Sequence, residues 1–276
     1  MDILHAIPPG DLGVLALGLI IAGAVGGLLA GVLGIGGGIV VVPVLYHVLA
    51  TLGLDESVRM HVAVGTALAA AIPVALSRAQ NELRTVDRAV LRSWAAPVLV
   101  GVLIGSALMA VASGRVLALI FAIVAAPVVL YLTASGKERV PAFRMPRILD
   151  RIVLPVLVGG ATAMTGMGGT TIAAPALALG GISAAQRAAT ASVLGVLMAI
   201  PAALGAVVAG WRAQPLPPDS LGYVNLLAFA LVAPILLLAE PAGAALAHMI
   251  DMKRLRLVFA ALIAITTARM LWDALA

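Results

Sequence analysis

The sequence has no cysteine, few aromatic residues and little charge. The absence of cysteine excludes several kinds of site, and the low charge excludes a soluble domain. Without cysteine the chain can form no disulfide bond, no thiolate metal site and no cysteine redox centre. Charged residues make up 11% of its 276 residues, whereas soluble domains carry roughly 25%. Too few polar side chains are therefore present to cover a water-facing surface.

Motifs that would support enzyme chemistry are also missing. The sequence has no HExxH or GxSxG motif and no cluster of metal ligands. Gly34-x-Gly36 lacks the third glycine of a dinucleotide fingerprint, because position 39 is isoleucine. The histidines are scattered: His5, His47, His61 and His248. We therefore expect no enzyme activity, no metal and no cofactor.

What the sequence does have is apolar length. Hydrophobic residues make up 63% of it, the mean hydropathy is +1.16, and several stretches reach the roughly 20 residues that a membrane-spanning helix needs. Lipid favours helices because they satisfy their backbone hydrogen bonds internally, and the alternating pattern of an outer-membrane barrel is absent. The net charge of +5 comes from basic residues in short loops, which is typical of membrane orientation rather than nucleic-acid binding. The sequence predicts an all-α polytopic membrane protein.

One hydrophobic pattern occurs twice. The run 34–38 (Gly-Ile-Gly-Gly-Gly) leads to Pro43, and the run 166–170 (Gly-Met-Gly-Gly-Thr) leads to Pro175, an offset of 132 (166 minus 34). Further pairs recur at offsets of 128 to 138: Arg59 and Arg187, Pro73 and Pro201, Pro97 and Pro234, Gly105 and Gly243, Phe121 and Phe259. A duplicated membrane domain with the substrate site between its halves is a common transporter design.

The chain divides into a first membrane repeat at 1–134, a basic cytoplasmic linker at 135–151 and a second membrane repeat at 152–276. The first repeat has five apolar segments, at roughly 12–33, 39–53, 60–78, 88–112 and 115–134. The second has five more, at roughly 152–166, 170–182, 187–209, 222–249 and 254–272. The segments after the glycine-rich runs are short, so each either re-enters the membrane beside its predecessor or crosses it with distortion.

Loop charges favour an inverted orientation of the two repeats. With an odd number of crossings per repeat and the N-terminus outside, thirteen Lys and Arg residues fall on the cytoplasmic side and four outside. With four crossings per repeat and the N-terminus inside, the split is about eleven to six. Because cytoplasmic loops collect basic residues, we expect an inverted repeat with Gly-rich broken or re-entrant helices.

The two glycine-rich runs, 34–38 and 166–170, which we call the glycine turns, carry the strongest functional signal. Successive glycines expose backbone N–H groups that can converge on an anion, and each following segment adds the positive end of a helix dipole. The alternative is that the glycines only make tight hairpins between packed helices. We predict that the turns bind an anion through Gly36, Gly37, Gly38, Gly168, Gly169, Thr170 and Thr171.

Two GxxxG pairs concern packing rather than binding. Gly27 and Gly31 form one pair, and Gly101 and Gly105 form the other. Such pairs let helix backbones approach closely in a membrane, although glycine is also common in membrane helices without that role.

Four further residues are candidates, each with a plainer alternative. Arg59 and Arg187 precede the two third segments and could attract an anion at each mouth, or only snorkel to the membrane surface. Thr66 could donate to an anion, or to its own helix backbone. Glu240 is the one acid inside an apolar stretch, which makes it a candidate proton carrier, unless Pro241 starts a new piece and places Glu240 at an interface.

A polar cluster ends the third segment of the first repeat. It consists of Ser77, Arg78, Gln80 and Asn81. The cluster is either a solvated exit vestibule or the start of a loop, and the sequence favours neither.

The pattern resembles the sulfite exporter TauE/SafE family. The matching stretches are 27–38 with Val42-Pro43, 63–68, Val86-Asp87, 165–169, Pro175 and Arg187. The resemblance implies an anion transporter of the bacterial inner membrane that moves sulfur-containing anions such as sulfite and organosulfonates, mostly outward, with its site beside the glycine turns. The second copy departs from the pattern, with Thr170 in place of a third consecutive glycine and Leu194 opposite Thr66.

We therefore expect a secondary transporter, an exporter of a small sulfur-containing anion, that works by alternating access with Glu240 coupling a proton. A passive anion channel and a non-transport membrane subunit are the alternatives. The expected partners are a small anion and the lipid bilayer, with a homodimer as an option. Related thiosulfate carriers are thought to use cysteines, so thiosulfate is disfavoured. The sequence leaves open the anion, the direction, the coupling ion and the oligomeric state.

Overall fold

The structure of the protein is a computed structural model, which describes residues 9–34, 36–51, 53–134, 146–180, 182–217, 219–247 and 252–275. Ten α-helices lie within these residues: α1 (Pro9–Leu33), α2 (Gly38–Thr51), α3 (Glu56–Glu82), α4 (Arg88–Val111), α5 (Gly114–Ala134), α6 (Leu154–Thr165), α7 (Gly169–Ala178), α8 (Ala184–Gly210), α9 (Leu226–Leu246) and α10 (Met252–Leu275). A π-helical turn (Leu149–Val153) leads into α6, and an antiparallel hairpin of β1 (Ser220–Leu221) and β2 (Val224–Asn225) precedes α9. The predicted all-α polytopic class is confirmed. Residues 135–145 of the linker and His248 lie outside the described residues.

Polar side chains start the long helices. Asp55 accepts a hydrogen bond from the backbone N of Ser57 (2.8 Å), and Asn225 accepts one from the backbone N of Ala228 (2.8 Å). Asp87 caps α4 in the same way. These caps satisfy N–H groups that the first turn of a helix leaves free. Hydrogen bonding to Ser57 also holds the pKa of the Asp55 carboxyl below its usual value.

Some predicted boundaries were wrong. The third segments extend beyond 60–78 and 187–209, to Glu56–Glu82 and Ala184–Gly210, because caps start them earlier and polar residues continue the helix past the apolar run. The apolar segment at roughly 222–249 is not helical from its start. The chain first forms the hairpin, whose tight turn uses Gly222 at φ 57°, and α9 begins only at Leu226.

The helices that follow the glycine turns are short. Helix α2 has 14 residues and α7 has 10. At about 1.5 Å per residue α7 is about 15 Å long, which is about half of a hydrocarbon core of roughly 30 Å. Helix α7 alone is therefore too short to span the hydrocarbon core.

Corresponding helices of the two sequence repeats make corresponding contacts. Helix α1 packs against α9, and α4 packs against α6. A Cβ atom on Gly27 would overlap the carbonyl oxygen of Leu236, and a Cβ atom on Gly159 would overlap that of Val98. The offsets of the repeat relate the two contacts: 159 minus 27 is 132, and 236 minus 98 is 138. The α1–α9 interface thus has its counterpart in the α4–α6 interface.

The GxxxG glycines lie at these two interfaces. A side chain on Gly31 would overlap the backbone of Glu240 in α9, and one on Gly101 would overlap the backbone of Val156 in α6. Small residues permit this backbone approach in lipid, where no hydrophobic force drives helices together. The close-packing interpretation of the GxxxG pairs is therefore confirmed.

Helix α3 lies at the centre of the molecule, and α4 and α5 lie at its surface. In the apolar window of α3, 78% of the residues are buried, against 33% in the windows of α4 and α5. The outer helices expose large apolar side chains, such as Val111 (81% exposed) and Leu130 (71% exposed). Five helices within the described residues are long and apolar enough to cross a membrane, and lipid is the solvent that such a surface suits.

Candidate functional site

The two glycine turns are in direct contact. A Cβ atom on Gly36 would lie 2.7 Å from the hydroxyl oxygens of both Thr170 and Thr171, and a Cβ atom on Gly38 would overlap the backbone of Met167. The Thr171 hydroxyl lies 3.0 Å from the carbonyl oxygen of Gly36 and 2.6 Å from that of Met167, and these carbonyls accept its hydrogen bond. Residues separated by 129 or more positions in the sequence (167 minus 38 is 129) are thus held together by backbone contact.

Glycine is required in the turns for two different reasons. Gly166 and Gly168 have φ of 68° and 82°, a left-handed conformation that other residues adopt at a cost. Gly36 and Gly38 instead leave room for the opposite turn. Gly34 of the first turn also has a left-handed φ, of 66°, so the conformation of both turns and the contact between them depend on the absence of side chains.

Two helices begin at this contact. Helix α2 starts at Gly38 and α7 starts at Gly169. The backbone N–H groups of Gly168, Gly169 and Thr170 donate no hydrogen bond to any residue that the structure describes. Free N–H groups and the positive ends of two helix dipoles favour a negative charge at this position.

A small cavity lies beside the turns. Its lining residues come from both turns and from α3, α7, α8 and α9: Gly36, Gly37, Ala71, Val74, Ala75, Arg78, Gly168, Gly169, Thr170, Gly195, Ala199 and Leu236. The cavity offers about 10 Å³ to the centre of a water molecule, and one water needs roughly 10–15 Å³ by that measure. This conformation therefore has room for about one water and is too small for a sulfur oxyanion.

Arg78 supplies the positive side chain of the cavity wall. It is 9% exposed. Its Nε donates to Glu240 Oε1, its Nη2 donates to the carbonyl oxygen of Ala30, and its Nη1 donates to no residue within the described part of the chain. A buried guanidinium is costly unless it is paired and hydrogen-bonded, and here part of its donor set is left for another acceptor.

Glu240 is the partner of Arg78 and lies in α9. It is 9% exposed, and α9 continues unbroken through Pro241 to Leu246. The sequence left open whether Glu240 lies inside a helix or at an interface where a new piece begins. The structure places it inside the helix and buries it against α3.

The remaining predicted site residues do not line the cavity. Arg59 donates to the carbonyl oxygen of Leu54 from Nε (3.2 Å) and Nη2 (2.8 Å), and its guanidinium carbon lies 5.4 Å from the ring centre of Tyr46. Thr66 accepts a hydrogen bond from the backbone N of Asn225 (3.0 Å). Arg187 lies near the start of α8 and is partly exposed. Of the residues predicted in the turns, Gly38 and Thr171 hold the turns together while Gly36, Gly37, Gly168, Gly169 and Thr170 line the cavity.

Arg78 was not predicted as a site residue. The sequence shows it at the end of an apolar run, where a loop start was an equal alternative, whereas α3 continues one turn further to Glu82. The repeat contains a signal that could have identified it. The offset of 128 places Ala206 opposite Arg78, and the offset of 138 places Val102 opposite Glu240. Both members of the ion pair are thus charged residues whose counterparts in the other repeat are apolar.

Comparison with known proteins agrees with this architecture. The family model of the sulfite exporter TauE/SafE matches residues 19–270. The chain belongs to the TauE/SafE family. A TauE/SafE protein with this many apolar helices is a multi-pass membrane transporter. A curated relative described as a probable membrane transporter protein of Haemophilus influenzae (strain ATCC 51907 / DSM 11121 / KW20 / Rd) is 29% identical over 209 residues, which are 75% of this chain and 79% of the relative. No solved structure matches the chain.

Proposed function

We propose that this TauE/SafE protein is a secondary transporter, an exporter of a small sulfur-containing anion such as sulfite or an organosulfonate in the bacterial inner membrane. The observation that carries the proposal is the buried guanidinium of Arg78 in the wall of a cavity whose other walls are the two glycine turns. Three sources of positive potential meet there: one side-chain cation and the starts of two helices.

The chemistry of the cavity suits an oxyanion. Free backbone N–H groups at Gly168, Gly169 and Thr170 are donors, and sulfite and sulfonate groups present several acceptor oxygens. Charge-assisted hydrogen bonds from Arg78 to such oxygens would be shorter and roughly twice as strong as neutral ones. A metal cation would be repelled by Arg78 and by the positive ends of the two helices. The carboxylate of Glu240 would not offset this repulsion, because it is already paired with Arg78.

The small size of the cavity supports alternating access over a passive channel. A channel needs a continuous path, whereas the site holds room for about one water. An anion enters only if the walls separate, and the walls belong to helices of both repeats. In an inverted repeat, movement of one half against the other would open the site to each side of the membrane in turn. The matched α1–α9 and α4–α6 contacts and the thirteen-to-four distribution of basic residues support that arrangement.

Flux measurements in proteoliposomes test the proposal. Wild-type protein should move labelled sulfite or methanesulfonate, and external unlabelled anion should accelerate the release of labelled anion from the lumen, as a carrier requires. Arg78→Gln should abolish this exchange, while Arg92→Gln, which removes an exposed arginine of α4, should leave it intact. Flux without acceleration by external anion would identify a channel. Absence of flux for sulfite, sulfonates and simple carboxylates would contradict transport of a sulfur-containing anion.

The alternative of a non-transport subunit makes a different prediction. A bulky side chain on Gly37 would meet the carbonyl oxygen of Gly26 at 2.6 Å. If the protein only assembles with others, Gly37→Leu should disturb its complexes without changing any flux. If it is a transporter, the same change should reduce flux because Gly37 lines the cavity.

A further inference from the structure

The Arg78–Glu240 ion pair connects the cavity between the glycine turns to helix α9. Arg78 lines the cavity between the glycine turns, and Glu240 lies behind it in α9. Both are 9% exposed, and Arg78 Nε donates to Glu240 Oε1. The guanidinium therefore donates a hydrogen bond to a buried carboxylate and also lies in the wall of the space that an anion would occupy.

We propose that Glu240 and the transported anion compete for the guanidinium of Arg78, and that a proton on Glu240 releases Arg78 to the anion. One proton then accompanies each singly charged anion through the transport cycle. This inference rests on the proposed function, because it assigns the coupling step of the same site.

Charge balance is the first argument for the competition. With Glu240 ionised, the buried pair is neutral. Adding a monovalent anion would leave a net negative charge in a buried site with room for about one water, which is strongly unfavourable. Taking up a proton on Glu240 restores neutrality while the anion replaces the carboxylate as the partner of Arg78. When the site opens to the other side, the anion and the proton leave together and the ion pair forms again, so that the outward gradient of the anion itself has to drive export.

The second argument is that the fold does not need this pair. At the corresponding place in the other repeat the residues are Ala206 of α8 and Val102 of α4, and α8 packs against α4 without an ion pair at that place, as α3 packs against α9 with one. Replacing a buried ion pair by apolar residues is often neutral or stabilising. The pair is thus better explained by function than by stability.

The third argument is the lack of another ionisable partner for Glu240. Helix α1 carries no ionisable residue over 13–32. On α3, Glu82 accepts a hydrogen bond from Ser192 (2.8 Å), and His61 bonds the carbonyl oxygen of Ala112 (3.0 Å) and stacks on Tyr223 of the hairpin. The remaining ionisable residues of α3, Glu56 and Arg59, lie at its start. Among the described residues, Arg78 is therefore the charged group that faces Glu240.

The experiment uses methanesulfonate, whose charge does not change between about pH 5 and pH 8, so that any pH effect comes from the protein. Binding to purified full-length protein and flux in proteoliposomes are measured together with the pH of the lumen. In wild type, the binding constant should fall about tenfold for each unit rise in pH over the coupled range, which is the slope for uptake of one proton with each anion. Methanesulfonate movement should also change the pH of the lumen.

Variants separate the roles of the two residues. Glu240→Gln should bind methanesulfonate at neutral pH at least about tenfold more tightly than wild type, with no pH dependence, and should exchange the anion without moving protons. Glu82→Gln, a neighbouring carboxylate that bonds Ser192, should keep the wild-type pH dependence. The double variant Arg78→Ala/Glu240→Val, which copies the other repeat, should fold and melt like wild type but bind no methanesulfonate.

Each outcome decides the proposal. If wild type moves methanesulfonate without proton movement and Glu240→Gln shows the same pH dependence as wild type, the competition is refuted while the proposed transport function stands. If Glu240→Gln does not fold, two measurements still test the proposal. They are the number of protons that wild type moves with each anion and the folding of the double variant. Failure of the double variant to fold would show that the pair is structural. Absence of any anion flux in wild type would refute the proposed function, and the inference with it.

Discussion

The contact between the glycine turns can be tested with Gly36→Ala. The added Cβ atom would lie 2.7 Å from the hydroxyl oxygens of Thr170 and Thr171, closer than such atoms approach. Overpacking in a core costs about 1–3 kcal/mol, and displacing the Thr171 hydroxyl from Gly36 loses a buried hydrogen bond worth about 1 kcal/mol. Replacing glycine also stabilises by about 0.4–1 kcal/mol through the unfolded chain. We expect a net loss of roughly 1–3 kcal/mol in the free energy of unfolding, as these terms combine.

A double-mutant cycle isolates the contact. Thr171→Ala removes one of the two clashing oxygens, so Gly36→Ala should cost roughly 1–2 kcal/mol less in that background, within the range seen for residues in contact. The assay is equilibrium unfolding in detergent, followed by the fluorescence of the buried Trp94. Gly13→Ala is the control, because its Cβ would meet no atom within 4 Å. Losses that add to within about 0.5 kcal/mol would show that the two turns do not touch.

Further predictions concern the two helix interfaces, the β-hairpin and the attraction of the anion by Arg187. Gly31→Ala and Gly159→Ala should each lower the free energy of unfolding by about 1–3 kcal/mol. Only Gly31→Ala should weaken methanesulfonate binding, because Gly31 contacts the backbone of Glu240. Equal effects of the two changes on binding would contradict a role of Glu240 in the site. Thr66→Val should cost about 1–3 kcal/mol because it removes the hydroxyl oxygen that accepts a hydrogen bond from the buried backbone N of Asn225, whereas Thr66→Ser should unfold like wild type. Arg187→Gln should raise the KM for the anion more at low than at high ionic strength, and a change independent of salt would argue against attraction at the mouth.

The sequence was sufficient to predict the helices, because their apolar runs are long and lipid permits little else. It also predicted that the two glycine turns lie together, because the repeat places them in corresponding positions, and the structure shows this contact. The ends of the helices were harder to predict. Residues such as Ser77 and Asn81 are polar, and the apolar signal ends before the helix does, so the sequence alone places Arg78 at a boundary although α3 continues to Glu82.

The ion pair could not be predicted from the sequence, since its members are separated by 162 positions and 17 Lys and Arg residues were available as partners. The role of Arg59 was similarly hidden, because its acceptor is the carbonyl oxygen of Leu54 rather than a side chain. The hairpin before α9 was missed because its strands have two residues each. Short backbone pairings of this kind leave no periodic pattern in a sequence.

The most direct test of the account is the melting temperature of the purified protein with and without methanesulfonate. A ligand that binds only the folded state adds about 2.7 kcal/mol of stability at a concentration of about 100 times its Kd. The account predicts that methanesulfonate raises the melting temperature of wild type and of Arg92→Gln but not that of Arg78→Gln. An equal rise in Arg78→Gln and wild type would show that the anion binds elsewhere and would contradict the proposed site.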